Sequence, residues 1–254
     1  VTTKTETVRA GAPVTKTTAY TYDAAGRLWE VTVDGVLSEA WTYDANGNRS
    51  DGTYDAQDRL VALGPSRTFE HTANGERSKK VVGVEETSYA YDAHGNLRSV
   101  VLPDGTTLAY EIDGKDRRVG KRRNGTLEQV FVYDGARIVA ELDGGGQVVS
   151  RFVYATQSHA PDLVLKAGPN GDERYRILKD HLGSPRLVVH VASGTIVQQL
   201  DYDAWGNATA VLDTPAPGLP FQPFGFAGGL WDRDTNLVRF GARDYDPTTG
   251  RWTS

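Results

Sequence analysis

A Tyr-Asp pair with a Gly three residues further on returns along the whole chain, and this repeat limits the fold more than any other feature. Full copies begin at Tyr22 (YDAAG), Tyr43 (YDANG), Tyr91 (YDAHG) and Tyr202 (YDAWG). A Glu-bearing variant begins at Tyr110 (YEIDG), and looser copies begin at Tyr54, Tyr133, Tyr245 and Phe69. Tyr suits a strand end, where its ring covers a neighbouring strand. The Asp accepts a hydrogen bond from the backbone two residues on. The Gly supplies the positive φ that reverses the chain. Each copy therefore reads as a strand end plus a reversal. The residues expected to build it are Tyr22, Asp23, Gly26, Tyr43, Asp44, Gly47, Tyr91, Asp92, Gly95, Tyr202, Asp203 and Gly206.

Between the copies lies a second turn signal: Asp34-Gly35, Asp104-Gly105, Asn124-Gly125 and Asp143-Gly144. Asp-Gly and Asn-Gly between alternating segments are strong hairpin signals. The repeating unit, roughly 20 residues long, is then strand, tight turn, strand, Tyr-Asp turn. Gly, Asp-Gly and β-branched residues interrupt every window that could form a helix. The expectation is an all-β chain, a long antiparallel ribbon of hairpins. A flat single layer buries too little apolar surface to offset about 1–2 kcal/mol of ordering entropy per residue. In RLWEVTV (27–33) both faces carry apolar groups. The ribbon must curl, stack on itself or wrap around something.

Composition narrows the function classes. With 254 residues, 39% hydrophobic and 24% charged, the chain has room for one large β domain or two smaller ones. No apolar run approaches the ~18 residues of a membrane helix, so no membrane span is expected. The net charge of −5 argues against a protein built to coat nucleic acid. The absence of Cys removes disulfides and thiolate metal sites. The absence of Met, including at position 1, suggests a piece of a longer protein. The five His residues show no metal-ligand spacing, and neither a nucleotide motif nor a nucleophile elbow is present. No cofactor and no metal are expected. His181 is expected to make a structural hydrogen bond. The basic run KDRRVGKRRNG (115–125) reads as a solvated hairpin or a wall facing cargo rather than a phosphate site, since aromatic interleaving is missing.

The Tyr-Asp repeats resemble the YD-repeat, or Rhs, family. The resemblance sharpens in ILKDHLGSPRLVV (177–189), YDAWGN (202–207) and FGFAGGLWDRDTNLVRFGARDYDPTTGRW (224–252), which are similar, in that order, to the Rhs-associated core. The resemblance implies a YD-repeat region over 1–174 and a core segment over 175–254. It implies the C-terminal part of a spiral β-shell that encloses a toxin segment, with the core inserted as an irregular plug. The Pro-rich stretch 213–226 would lead from ribbon to plug, with its Phe residues as anchors. The partners expected are the rest of the shell, the enclosed toxin segment and a secretion or delivery component, in a secreted or delivered bacterial protein.

The resemblance also implies a self-cleaving aspartyl-type centre, to which Arg243, Asp244 and Asp246 would contribute, with Asp232 and Asp234 nearby. Its second acid is expected from an Asp-Pro segment beyond Ser254, so the chain alone is expected to be inactive. The residues also permit turn chemistry and surface charge for these acids. A carbohydrate- or surface-binding module, using exposed Tyr and Trp, is the alternative reading.

Overall fold

The Tyr-Asp phrases at Tyr22, Tyr43, Tyr54, Tyr91 and Tyr202 close their strands with one set of hydrogen bonds, which, among the described residues, the looser copies at Tyr133 and Tyr245 lack. In the computed structural model of the chain, Asp23 Oδ1 accepts the backbone N–H groups of Ala25 and Arg27, each at 2.9 Å. The same two bonds recur at Asp44, Asp55, Asp92, Asp113, Asp143, Asp180 and Asp203. The third residue after the Asp is left-handed: Gly26 has φ +78° and Gly206 φ +90°. A Cβ at residue 206 would also fall 2.3 Å from the Phe226 ring. Asp58 and Asp116 take the left-handed position where the Gly is missing, both at φ +59°.

The residue after the reversal ties one phrase to the next. Arg27 Nε donates to Asp23 Oδ2 at 2.7 Å, and its guanidinium lies 4.5 Å from the centre of the Tyr43 ring. The Tyr43 hydroxyl donates back to Leu28 O at 2.6 Å. Tyr133 is likewise covered by Arg117 and donates to Arg118 O, and Tyr154 is covered by Arg137 and donates to Ile138 O. The Tyr is thus a spacer that sets one hairpin against the next.

Three turns differ from the sequence reading: Asp104-Gly105 is not a two-residue hairpin, because only Gly105 is left-handed and Leu102 N–H donates to Thr106 O across a longer turn. The phrase expected at Tyr110 is built on Asp113, so Ile112 stands at the Tyr position and Tyr110 points into the core, 2% exposed. Asp143-Gly144 is not a two-residue hairpin. Asp143 makes a phrase-type turn in which Gly146 is left-handed. Asp34-Gly35 and Asn124-Gly125 do place both residues at positive φ, the two-residue hairpin geometry.

The structure describes residues 3–8, 14–168, 171–213 and 221–254. They fall into two units, Val1–Phe69 and Glu70–Ser254. In the first unit, β1 (Thr3–Val8), β2 (Val14–Tyr22), β3 (Leu28–Val33) and β4 (Val36–Ala40) pair in order, all antiparallel. After them come β5 (Gly52–Tyr54), β6 (Leu60–Leu63) and β7 (Arg67–His71), around Leu60, Leu63 and Phe69.

The second unit carries a meander of thirteen strands in sequence order. These are β8 (Arg77–Val82), β9 (Glu85–Tyr91), β10 (Leu97–Val101), β11 (Thr107–Ile112), β12 (Arg118–Arg123), β13 (Thr126–Asp134) and β14 (Arg137–Asp143). They continue as β15 (Val148–Val153), β16 (Leu163–Gly168), β17 (Gly171–Lys179), β18 (Pro185–His190), β19 (Ile196–Tyr202) and β20 (Ala208–Asp213). Pairing passes residue 175 without a break, and the architecture changes between 213 and 221. The 214–220 part of the Pro-rich stretch lies outside the described residues. Residues 221–254 hold a 3₁₀ turn (Phe226–Gly228) and a separate antiparallel sheet: β21 (Leu230–Asp232), β22 (Leu237–Phe240), β23 (Arg243–Asp246) and β24 (Arg251–Trp252). Among the described residues, no helix is long and apolar enough to cross a membrane.

This small sheet is the filling of a curled meander. Arg77 on β8 pairs with Asp246, while Asn207, in the turn after β19, donates to the adjacent Pro247 O at 2.9 Å. Strands lie about 4.8 Å apart, so eleven spacings in a flat sheet would separate β8 from β19 by about 53 Å. Both strands reach neighbouring residues only because the meander bends round residues 221–254. Phe221, Phe224 and Leu230 enter the main core beside Phe131, Phe152, Val164, Tyr175, Ile177 and Val188. The Phe224 ring meets Phe152 edge-on, with centroids 5.0 Å apart.

Candidate functional site

Period-two alternation along β23 sorts the residues expected to be catalytic. Asp244 and Asp246 face inward, each 1% exposed, whereas Arg243 faces out and lies 4.3 Å from the centre of the Trp252 ring. Arg239, directly opposite on β22, donates to Asp244 Oδ2 at 2.7 Å. Asp232, at the end of β21, is also buried. The inner side of the small sheet therefore presents carboxylates to the meander, which corrects the reading of these acids as surface charge: alternation along the strand turns them away from solvent.

The meander answers with the basic run. Arg118 donates to Asp244 Oδ1 at 2.9 Å and reaches Asp232 at 3.6 Å. Lys121 bonds Asp232 at 2.9 Å and Asp234 at 2.5 Å, and Arg123 pairs with Asp234. The Tyr110 hydroxyl donates to Asp232 Oδ2 at 2.7 Å, beneath the Arg118 guanidinium. One hairpin strand thus spends three of its cations on the core segment. This corrects the reading of 115–125 as a solvated hairpin: Arg118 and Lys121 are buried, because acids from more than a hundred residues away neutralise them. The run contains no signal for those partners, so the sequence could not reveal the clamp.

Three further hydrogen bonds fix the segment's register. Arg239 Nη2 donates to Asn96 Oδ1 at 2.8 Å and to Asp116 O at 2.9 Å. The Arg77 backbone N–H donates to Thr253 O at 2.7 Å. The hydrogen bond expected of His181 is not made among the described residues, where that side chain is exposed. His159 Nε2 instead lies 3.1 Å from Leu182 O. Among the described residues, no cluster of three His, Cys, Asp or Glu side chains is arranged to hold a metal ion.

Burial should discourage ionisation of these carboxyls, yet the cations prevail. For Asp232, burial acts upward but Lys121 and Arg118 hold the group below its ordinary value of 3.8. For Asp246, burial is likewise outweighed by Arg77 and Lys80. Burial, reinforced by Asp232, drives the Tyr110 phenol well above 10. Both carboxylates with depressed values stabilise the fold above their unfolded value, and that contribution is lost as pH falls through their folded values. Thermal melts of the chain should therefore hold steady from pH 7 to 5 and drop steeply below about pH 4. Asp232→Asn should flatten that drop. An acid limb of equal steepness in the variant would remove Asp232 from the account.

With this geometry in place, comparison with known proteins is informative. The teneurin YD-shell family profile matches residues 4–254. Mouse teneurin-3 is 31% identical over 253 residues, which is 93% of this chain and 9% of the teneurin. The tRNA3(Ser)-specific nuclease WapA of Bacillus spizizenii is 26% identical over 238 residues, 87% of this chain and 10% of the nuclease. The chain thus spans about a tenth of the length of these curated relatives. Among solved structures, the crystal structure of TcdB2-TccC3 is similar over 99% of this chain and 20% of that one, at 16% identity and a TM-score of 0.34. A hairpin meander of Tyr-Asp turns, curled on a C-terminal segment and matched by one profile along its length, shows that the chain belongs to the teneurin YD-shell family of YD-repeat proteins.

Proposed function

We propose that this shell module is the closing part of a container, and that residues 221–254 are the plug that holds its wall in a curl round a C-terminal toxin segment. The observation that carries this reading is the meeting of β8 and the β19–β20 turn on Asp246 and Pro247. A wall segment pinned at both ends of its curve is what an enclosing structure requires. The name of the Bacillus spizizenii relative, a nuclease, supports a shell that travels with an enzymatic segment in a secreted or delivered bacterial protein. The test uses the full-length protein, with a protease site introduced C-terminal to residue 254. In the native shell that site should resist cleavage under conditions that cut it within minutes after unfolding. Equal cutting before and after unfolding would dismiss enclosure.

In this reading Asp244 and Asp246 are anchors. An aspartyl-type centre needs one carboxyl that keeps a proton while its neighbour activates water. Arg77 holds Asp246 ionised, and Asp244 is shared between Arg118 and Arg239. Catalysis through Arg243, Asp244 and Asp246 would need an additional acid to join them. Full-length protein that cuts itself, and stops doing so in Asp244→Asn despite an unchanged melting temperature, would make Asp244 catalytic as well as structural.

A further inference from the structure

The second unit holds a cavity of about 870 Å³ between three successive Tyr-Asp turns and the core segment. The plug reading does not use it. Its size lies within the ~300–1,000 Å³ usual for small-molecule sites. The lining includes Tyr133 and Tyr154, each stacked under an Arg, and four cations: Lys115, Arg117, Arg137 and Arg239. Asp134 is the sole carboxylate of the lining.

The cations differ in how far they are neutralised. Arg117 is matched by Asp113 at 2.5 Å. Arg239 is 4% exposed and shares the single carboxylate of Asp244 with Arg118; its Nε donates to nothing among the described residues. Burial, with Arg118 nearby, holds the Arg239 guanidinium below its ordinary value, and a bound anion would relieve that. Arg137 stacks on Tyr154 and donates Nε to Ser158 O at 3.2 Å, without an acid partner among the described residues. Lys115 is exposed and also lacks an acid partner among them. A concave space lined by Tyr133, Tyr154, Phe224, Leu230 and Phe240, with surplus positive charge, suits a planar anion carried on an apolar body, because guanidinium groups bind carboxylates through paired N–H donors.

We infer that this cavity binds an organic carboxylate, with Arg137 and Lys115 holding the charge and Tyr133 and Tyr154 flanking the apolar body. The carboxylate could belong to a free acid or to a peptide chain end, and the probes separate these sources. Calorimetric titration of the 254-residue chain would use naphthalene-2-carboxylate, its neutral alcohol naphthalene-2-methanol, and acetyl-Ala-Phe with a free or an amidated C-terminus. Saturable binding of the acids is expected, at least tenfold tighter than that of the alcohol and the amide. Tighter binding of the free-ended peptide than of the naphthoate assigns the site to a chain end; the reverse assigns it to a small acid. Arg137→Gln combined with Lys115→Gln should weaken the acids by about tenfold or more, and Lys115→Gln alone should weaken them at unchanged melting temperature, because that side chain is exposed. Arg151→Gln, an exposed cation outside the cavity, should leave affinity unchanged. Equal binding of acid and neutral probes, no saturation by 10 mM (roughly the weakest range of specific binding), or full affinity in the double variant would each overturn the assignment.

Discussion

Replacing Arg118 by Met is expected to destabilise the chain by about 3–5 kcal/mol, the cost of leaving a buried charge without its partner. Arg118 is 2% exposed and is shared by Asp232 and Asp244. Its loss leaves two carboxylates buried with fewer counter-charges, while Met preserves most of the packing against Tyr110. Urea titration followed by tryptophan fluorescence measures the effect. Arg122→Met is the matched control from the same run, since its pairing with Glu111 is largely exposed and should contribute under about 1 kcal/mol. Adding Asp244→Asn to Arg118→Met should recover part of the loss, because it removes a charge that has lost a partner. Equal effects of Arg118→Met and Arg122→Met would mean that the clamp is not formed as described.

Phe224→Ala should be comparably severe, at about 3–5 kcal/mol for truncation of a fully packed aromatic ring. Phe224 is 2% exposed and sits edge-on against Phe152, so truncation leaves a hole that the wall strands cannot close without losing their pairing. The two variants separate the two halves of the anchor. Arg118→Met weakens the polar half near β12, and Phe224→Ala the apolar half near β15. Hydrogen exchange should show residues 221–254 opening first in both, with the wall strands still protected. Exchange that accelerates uniformly over the chain would show that core segment and wall unfold as one body, without a separate opening of the segment.

The ribbon was legible in the sequence because its causes are local. An Asp whose carboxylate collects two N–H groups within four residues, and a Gly that must be left-handed, leave their identities at fixed spacing. Where identity and spacing disagreed, the reading failed: Tyr110 carries the Tyr of a phrase, but Asp113 makes the turn. The anchor was only half legible. Asp232, Asp234, Asp244 and Asp246 stood out as a cluster, yet their partners Arg77, Arg118 and Lys121 lie in strands whose local pattern is that of any hairpin. That the ribbon must curl, stack on itself or wrap around something followed from the apolar groups on both faces of RLWEVTV, which do not choose among the three. What fills the curl depended on contacts between residues more than a hundred positions apart, and no short-range pattern records those.

The meeting of β8 and the β19–β20 turn on residues 246 and 247 also bears on the order of events during synthesis. Every hairpin can pair as soon as its own roughly 20 residues have emerged, because its contacts are local. The bend in the meander has no such early source of stability. Arg77 waits for Asp246, and Arg118 for Asp244, so these cations remain hydrated and the meander stays uncurled until residues 244–246 leave the ribosome. Closure of the meander on residues 221–254 therefore follows hairpin pairing and carries a large loop entropy. Strand pairing can thus proceed hairpin by hairpin, while the curvature of the meander is set only after Asp246 has emerged.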